Sequence, residues 1–134
     1  MNCIYCRSET RVVNSRAQKR LNQVWRRRQC LGCGAVFTTE EGFEPSGSLV
    51  FDDQRTKPMP FNRDRLFVSL YNALSHRPDA LEAATALSAT ILAKLVHNAS
   101  NGCILRSEVI LTARTTLARF DKTAETIYSA YHTT

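Results

Sequence analysis

Four cysteines in two pairs, Cys3-Ile4-Tyr5-Cys6 and Cys30-Leu31-Gly32-Cys33, are the residues of this chain best suited to chemistry. The chemistry is metal binding. A C-x-x-C turn aims two thiolates at one ion, and two such turns complete a tetrahedral four-thiolate shell for Zn²⁺. The spacer, residues 7–29, is slightly longer than is typical of four-cysteine sites, yet it suits a hairpin that returns the chain to the metal. Two disulfides or four unrelated buried thiols are the alternatives. The paired spacing favours one zinc ion per chain, held by Cys3, Cys6, Cys30 and Cys33.

Arg26-Arg27-Arg28 stands just before the second pair. In an extended strand Arg26 and Arg28 share one face, while Trp25 and Arg27 share the other. Guanidinium groups held in this way suit phosphate contacts and bidentate readout of guanine edges in double-stranded DNA. A plainer use is to offset the negative charge of a four-thiolate metal cluster. Arg16, with Lys19 and Arg20, falls in the intervening segment and extends the same basic footprint. Trp25 suits either a stacking contact with a base or sugar, or the small core of a ribbon, the commoner use of such a residue.

The 134 residues carry a net charge of +6, and it is unevenly placed. Residues 1–43 hold eight Lys/Arg against three Glu, whereas residues 44–134 hold ten basic against nine acidic side chains. A polyanionic partner is therefore expected for the first segment only. With 43% apolar residues the chain can build a core, which excludes global disorder. No signal-like opening and no uninterrupted apolar run of about 20 residues is present, so the expectation is a cytoplasmic protein with reduced thiols and no membrane partner.

These residues need positioning by two kinds of element, so the fold class expected is α+β. Segments 11–15, 24–28 and 35–39 suit short strands of a zinc ribbon over residues 1–43, too small to fold without its metal. Residues 42–48, rich in Gly, Ser and Pro, read as a linker. Residues 48–134 read as a mainly helical domain preceded by a short β-hairpin: a strand at 49–51, a polar loop, and an extended Pro58-Met59-Pro60-Phe61. Asn62 is expected to cap a first helix with apolar Leu66, Phe67, Leu70, Tyr71 and Leu74. Asp79 with Glu82 reads as a capping box for a second, whose stripe is Leu81, Ala84, Leu87, Ser88, Ile91, Leu92 and Leu95. Gly102 marks its exit; Ser107 and Asp121 are expected to cap two further helices.

The stretches Val12-Val13-Asn14-Ser15-Arg16, Arg26-Arg27-Arg28-Gln29-Cys30-Leu31-Gly32-Cys33-Gly34 and Phe37-Thr38-Thr39-Glu40-Glu41 resemble the N-terminus of NrdR-type repressors. The likeness continues through Pro60-Phe61-Asn62-Arg63, His76-Arg77-Pro78, Leu117-Ala118-Arg119-Phe120-Asp121-Lys122 and Tyr128-Ser129-Ala130-Tyr131. Those bacterial proteins join a DNA-binding zinc ribbon to an ATP-cone and control ribonucleotide reductase operons. The resemblance implies ATP and dATP as regulatory ligands, homo-oligomers whose size they alter, and DNA contacts from Arg16, Arg26, Arg27 and Arg28. It implies nucleotide contacts from Val50, Arg55, Lys57, Phe61, Arg65 and Tyr131. The chain departs from the family at Phe51, where a lysine is usual, at Trp25, where the first of four arginines stands, and at Asn14, usually aspartate.

An enzyme is not expected: His76, His97 and His132 are scattered, and no glycine-rich phosphate loop is present. The alternatives to a nucleotide-responsive repressor are a DNA-binding ribbon whose degenerate cone serves only assembly, and a non-catalytic enzyme accessory subunit.

Overall fold

A computed structural model describes residues 1–133, which divide into two compact units, Met1–Phe43 and a second that begins at Glu44. The first is a three-stranded antiparallel sheet in the order β1 (Thr10–Gln18), β2 (Gln23–Cys30), β3 (Val36–Glu41). Its strands outrun the expected segments by one to three residues at most ends, because pairing continues past the β-branched stretches down to Gln18↔Gln23 and up to Thr10↔Cys30. A bulge between Val12 and Asn14 shifts the register, so that Asn14 lies opposite Arg27 and Arg16 opposite Trp25. The only buried residues of this unit are Cys3, Cys30 and Phe37, with Ala35 against them and the Tyr5 ring edge-on to Phe37 at 6.3 Å. So small a core is by itself little to hold the sheet folded, and a metal bound by such a ribbon would supply on the order of 10 kcal/mol.

The second unit opens with a difference from expectation. Within the 42–48 stretch the chain makes one helical turn, α1 (Pro45–Ser48), with Pro45 buried. Proline suits the first helical position, and the Glu44 carboxylate accepts bonds from the Ser46 N–H and hydroxyl. β4 (Val50–Asp52) and β5 (Met59–Pro60) form the short hairpin. A third strand absent from the sequence reading, β6 (Cys103–Leu105), pairs in parallel with β4, so the sheet order is β5-β4-β6.

Four helices pack beside this sheet: α2 (Arg63–Leu74), α3 (Ala80–Asn98), α4 (Arg106–Phe120) and α5 (Lys122–Tyr131). Leu70, Leu74, Ile91, Ile104, Leu117 and Tyr128 form the centre of their core. Asn62 and Asp121 cap α2 and α5 as expected, accepting from the Arg65 and Ala124 N–H groups. Two other caps differ. Asp79 makes no capping bond, because both its carboxylate oxygens are taken by Arg77 at 2.8 and 3.0 Å. α4 starts before Ser107, directly out of β6, and Glu108 reaches back to the Leu105 N–H at 2.8 Å. Leu81, expected in the core stripe of α3, is 57% exposed. By length and composition alone α3 could cross a membrane, although Glu82 and Lys94 lie within it. In this fold it is a core helix, with Ala84 and Ile91 fully buried.

Candidate functional site

The two knuckles converge. Cys6 Sγ lies 3.4 Å from Cys30 Sγ, and Cys3 Sγ 3.8 Å from Cys33 Sγ. All four sulfurs fall within 4.8 Å of one another. A tetrahedral ion with Zn–S bonds of about 2.3 Å requires S···S edges of about 3.8 Å, so the donor set fits zinc. Backbone N–H groups turn inward to the same sulfurs: Tyr5 to Cys3 at 3.4 Å, and Gly32 and Cys33 to Cys30 at 3.2 and 3.3 Å. Each knuckle closes on a left-handed residue, Arg7 after the first pair and Gly34 (φ +74°) after the second.

The thiols are electrostatically unequal. Hydrogen bonds from the Ser8 hydroxyl and backbone pull Cys6 down to about 6. The backbone N–H groups of Cys6 and Tyr5 also favour the Cys3 thiolate, against its burial. At Cys33 the Ala35 backbone favours the thiolate, but the neighbouring Cys30 and Cys6 sulfurs outweigh it and push the group up to about 11. Four sulfurs this close do not all ionise without a cation among them. A divalent ion held by Cys3, Cys6, Cys30 and Cys33 would supply that charge and tie the N-terminal turn to the sheet.

The arginine run divides between the two sheet faces as strand alternation requires. Arg26 pairs with Glu41, and Arg28 donates to Thr39 at 3.1 Å and Thr10 at 3.4 Å, on the face that carries Cys30 and Phe37. The other face carries Trp25 and Arg27, with Arg16 and Asn14 opposite them on β1 and Thr38 and Glu40 on β3. Arg27 donates to Thr38 at 2.9 Å. Further along the same face, Arg11 donates to the Gln29 side chain at 2.7 Å. Trp25 is no core residue: it is 42% exposed.

Residues 1–41 match the family model described as "Transcriptional repressor NrdR-like, N-terminal domain". These residues form an NrdR-like zinc ribbon. The chain is 42% identical over 83 residues to a transcriptional repressor NrdR of Symbiobacterium thermophilum, covering 61% of this chain and 54% of the relative. It is 39% identical over 99 residues to one from Dehalococcoides mccartyi, covering 72% of this chain and 54% of the relative. With one from Nitrosomonas eutropha the identity is 37% over 97 residues, covering 72% and 60%. The chain thus spans little more than half the length of the curated NrdR relatives it matches.

The helical unit that follows the NrdR-like ribbon in sequence brings together some of the residues singled out for nucleotide and separates others. Phe61 and Arg65 line a cavity of about 180 Å³, together with Phe51, Arg106, Tyr128 and His132. A groove of about 750 Å³ between α2 and α5 shares Asn62, Arg65, Ser69 and His132 with it, and is also lined by Tyr131, itself 81% exposed. Arg55 lines a separate recess with Asp52, Asp53, Arg106 and Ser107. Val50 is 44% exposed on β4, where it pairs with Pro60 and Cys103. Lys57 is exposed in the loop between β4 and β5. Arg106 and His132 escaped the sequence reading. Arg106 becomes legible only once β6 is known to deliver it beside β4. His132 follows Tyr128 by one helical turn and stacks on it at 4.1 Å.

Proposed function

We propose that this protein is a zinc-dependent, DNA-binding transcriptional repressor whose helical unit binds adenine nucleotides and alters how chains assemble. The observation that carries the reading is the convergence of four thiols beneath an arginine-bearing sheet, in a segment matching the NrdR-like domain. That the relatives are named transcriptional repressors supports a regulator rather than an enzyme. The DNA contacts come from Arg16, Arg26, Arg27 and Arg28, and the operators are those of ribonucleotide reductase genes, as the resemblance implies. ATP or dATP occupies the cavity and groove around Phe61, Arg65 and Tyr131. Arg106, which lines both that cavity and the recess of Arg55, offers a cation to the phosphates, with Arg55 and Lys57 as the further cations that the resemblance implies.

Gel-shift of the zinc-loaded protein on its own species' ribonucleotide reductase promoter, against a scrambled duplex of equal length, tests the first half. Preferential retardation of the promoter, abolished by chelation, is expected; equal binding to both duplexes removes the operator. Light scattering without nucleotide, with ATP and with dATP tests the second half. The expected result is a mass that depends on the nucleotide.

One observation favours a second reading of the helical unit. Phe51 stands at the cavity where the family usually has lysine, and packs against the apolar core. Without that cation the unit serves assembly alone, and calorimetric titration with ATP and dATP then gives no heat of binding.

A further inference from the structure

The ribbon's two sheet faces are chemically different, and the difference assigns a role to Trp25. One face is occupied by the protein itself. Cys30 and Phe37 are buried on it, Arg26 is paired with Glu41, and Arg28 is bonded to Thr10 and Thr39. The other face is open. It carries Arg11, Arg16 and Arg27 against a single strand carboxylate, Glu40, and has Trp25 at its middle.

Arg16 lies directly across from Trp25, and Arg27 is two residues along the same strand face. Asn14, Arg16, Trp25, Arg27 and Thr38, with parts of Ser15 and Arg26, line a concavity of about 310 Å³. A half-exposed indole flanked by guanidinium groups on a β-sheet surface is the arrangement by which proteins stack nucleobases while holding the adjoining phosphates. Trp25 lies outside the ribbon's small core, which uses Phe37 instead, and leaves its ring accessible beside the cations.

We infer that this open face is the nucleic-acid-binding face of the ribbon and that Trp25 packs flat against a nucleobase of the bound DNA, Arg16 and Arg27 holding the phosphates on either side. The inference rests on the DNA-binding reading above and names the surface and the contact that carry it. The base comes either from an open, single-stranded stretch or from a duplex whose groove admits the indole; the chemistry of the contact is the same.

Trp25 is the chain's one tryptophan, so its fluorescence reports the contact directly. The experiment titrates zinc-loaded full chain with a single-stranded 20-mer and with the matching duplex, following fluorescence and, in parallel, anisotropy of labelled DNA. Quenching at the anisotropy midpoint by either form supports the contact, and the form that quenches more deeply identifies the source of the base. Trp25→Ala, with zinc content retained, is expected to weaken binding about tenfold and Trp25→Phe much less. Arg16→Ala and Arg27→Ala are expected to weaken binding and flatten its salt dependence. DNA binding with unchanged fluorescence, or a Trp25→Ala protein that binds as tightly as wild type, overturns this inference alone. Failure of the wild-type protein to bind any DNA overturns the DNA-binding reading and this contact with it.

Discussion

Arg77 donates through Nη1 to Asp121 Oδ2 at 3.0 Å, joining the α2–α3 connection to the α4–α5 junction across 44 residues of sequence. The same guanidinium grips Asp79 through Nε and Nη2 and lies 4.6 Å over the Phe120 ring. Asp121 in turn caps α5 and meets His76 Nε2 at 3.0 Å. The His76-Arg77-Pro78 and Phe120-Asp121-Lys122 stretches, both among those that carry the family resemblance, are therefore each other's partners. Together they clamp four helices around one carboxylate.

That clamp makes stability depend on pH. The Ala124 N–H, then Arg77 and His76, hold the Asp121 carboxyl well below the usual carboxylate range. A depressed acid contributes stability that is complete above its unfolded value of about 3.9 and is lost as pH falls through the lower folded value. Asp121→Asn keeps the capping acceptor but not the charge. We expect it to melt below wild type at pH 7 and the gap to close progressively under pH 4, read from the far-UV helix signal. A gap that stays constant with pH would contradict the assignment.

Cys30→Ser should lose the zinc and unfold residues 1–43 while the helical unit stays folded, since each unit has its own core. The metal supplies on the order of 10 kcal/mol to such a ribbon, far more than three buried side chains. Metal analysis should fall from one zinc per chain to none, with most of the helical circular dichroism retained. Chelation of the wild type should reproduce the change.

The core offers a sharper contrast between pattern and structure. Leu70 and Leu81 both sit in apolar stripes read from sequence, yet Leu70 is fully buried and Leu81 is 57% exposed. Leu70→Ala should destabilise the helical unit by about 2–5 kcal/mol, whereas Leu81→Ala should stay within about 0.5 kcal/mol. Urea unfolding with unchanged slope checks both.

What the sequence made legible was local. The knuckle spacing specifies the metal ligands, the alternation of β2 separates Arg26 and Arg28 from Arg27, and Asn62 and Asp121 cap their helices through bonds spanning three residues. What escaped depended on distant partners. β6 is three residues long and exists because Val50–Asp52 lies beside it, a parallel pairing whose strands are some fifty residues apart. Asp79 satisfies the capping pattern but is claimed by Arg77. Alternation also could not say which face of β2 meets the core. Phe37, on the neighbouring strand, decides it and leaves Trp25 outside.

Gly102 tests how tightly β6 is delivered to β4. It adopts φ +71°, and its carbonyl accepts from the Val50 N–H at 2.8 Å. A Cβ there would come within 3.0 Å of the Ser48 carbonyl oxygen, a backbone atom that cannot swing away. Gly34 has nearly the same φ, +74°, but open space around it. Alanine at Gly34 therefore meets only the left-handed penalty of about 1–2 kcal/mol. Alanine at Gly102 meets that penalty and a contact that pushes the start of β6 away from the end of α1. We expect Gly102→Ala to destabilise its unit by clearly more than Gly34→Ala does the zinc-loaded ribbon. Hydrogen exchange should localise the loss to the Val50 amide, which should lose protection before the α2 and α4 amides do. Unchanged protection at Val50 would show that the sheet tolerates the added methyl and that Gly102 is required for its dihedral angle alone.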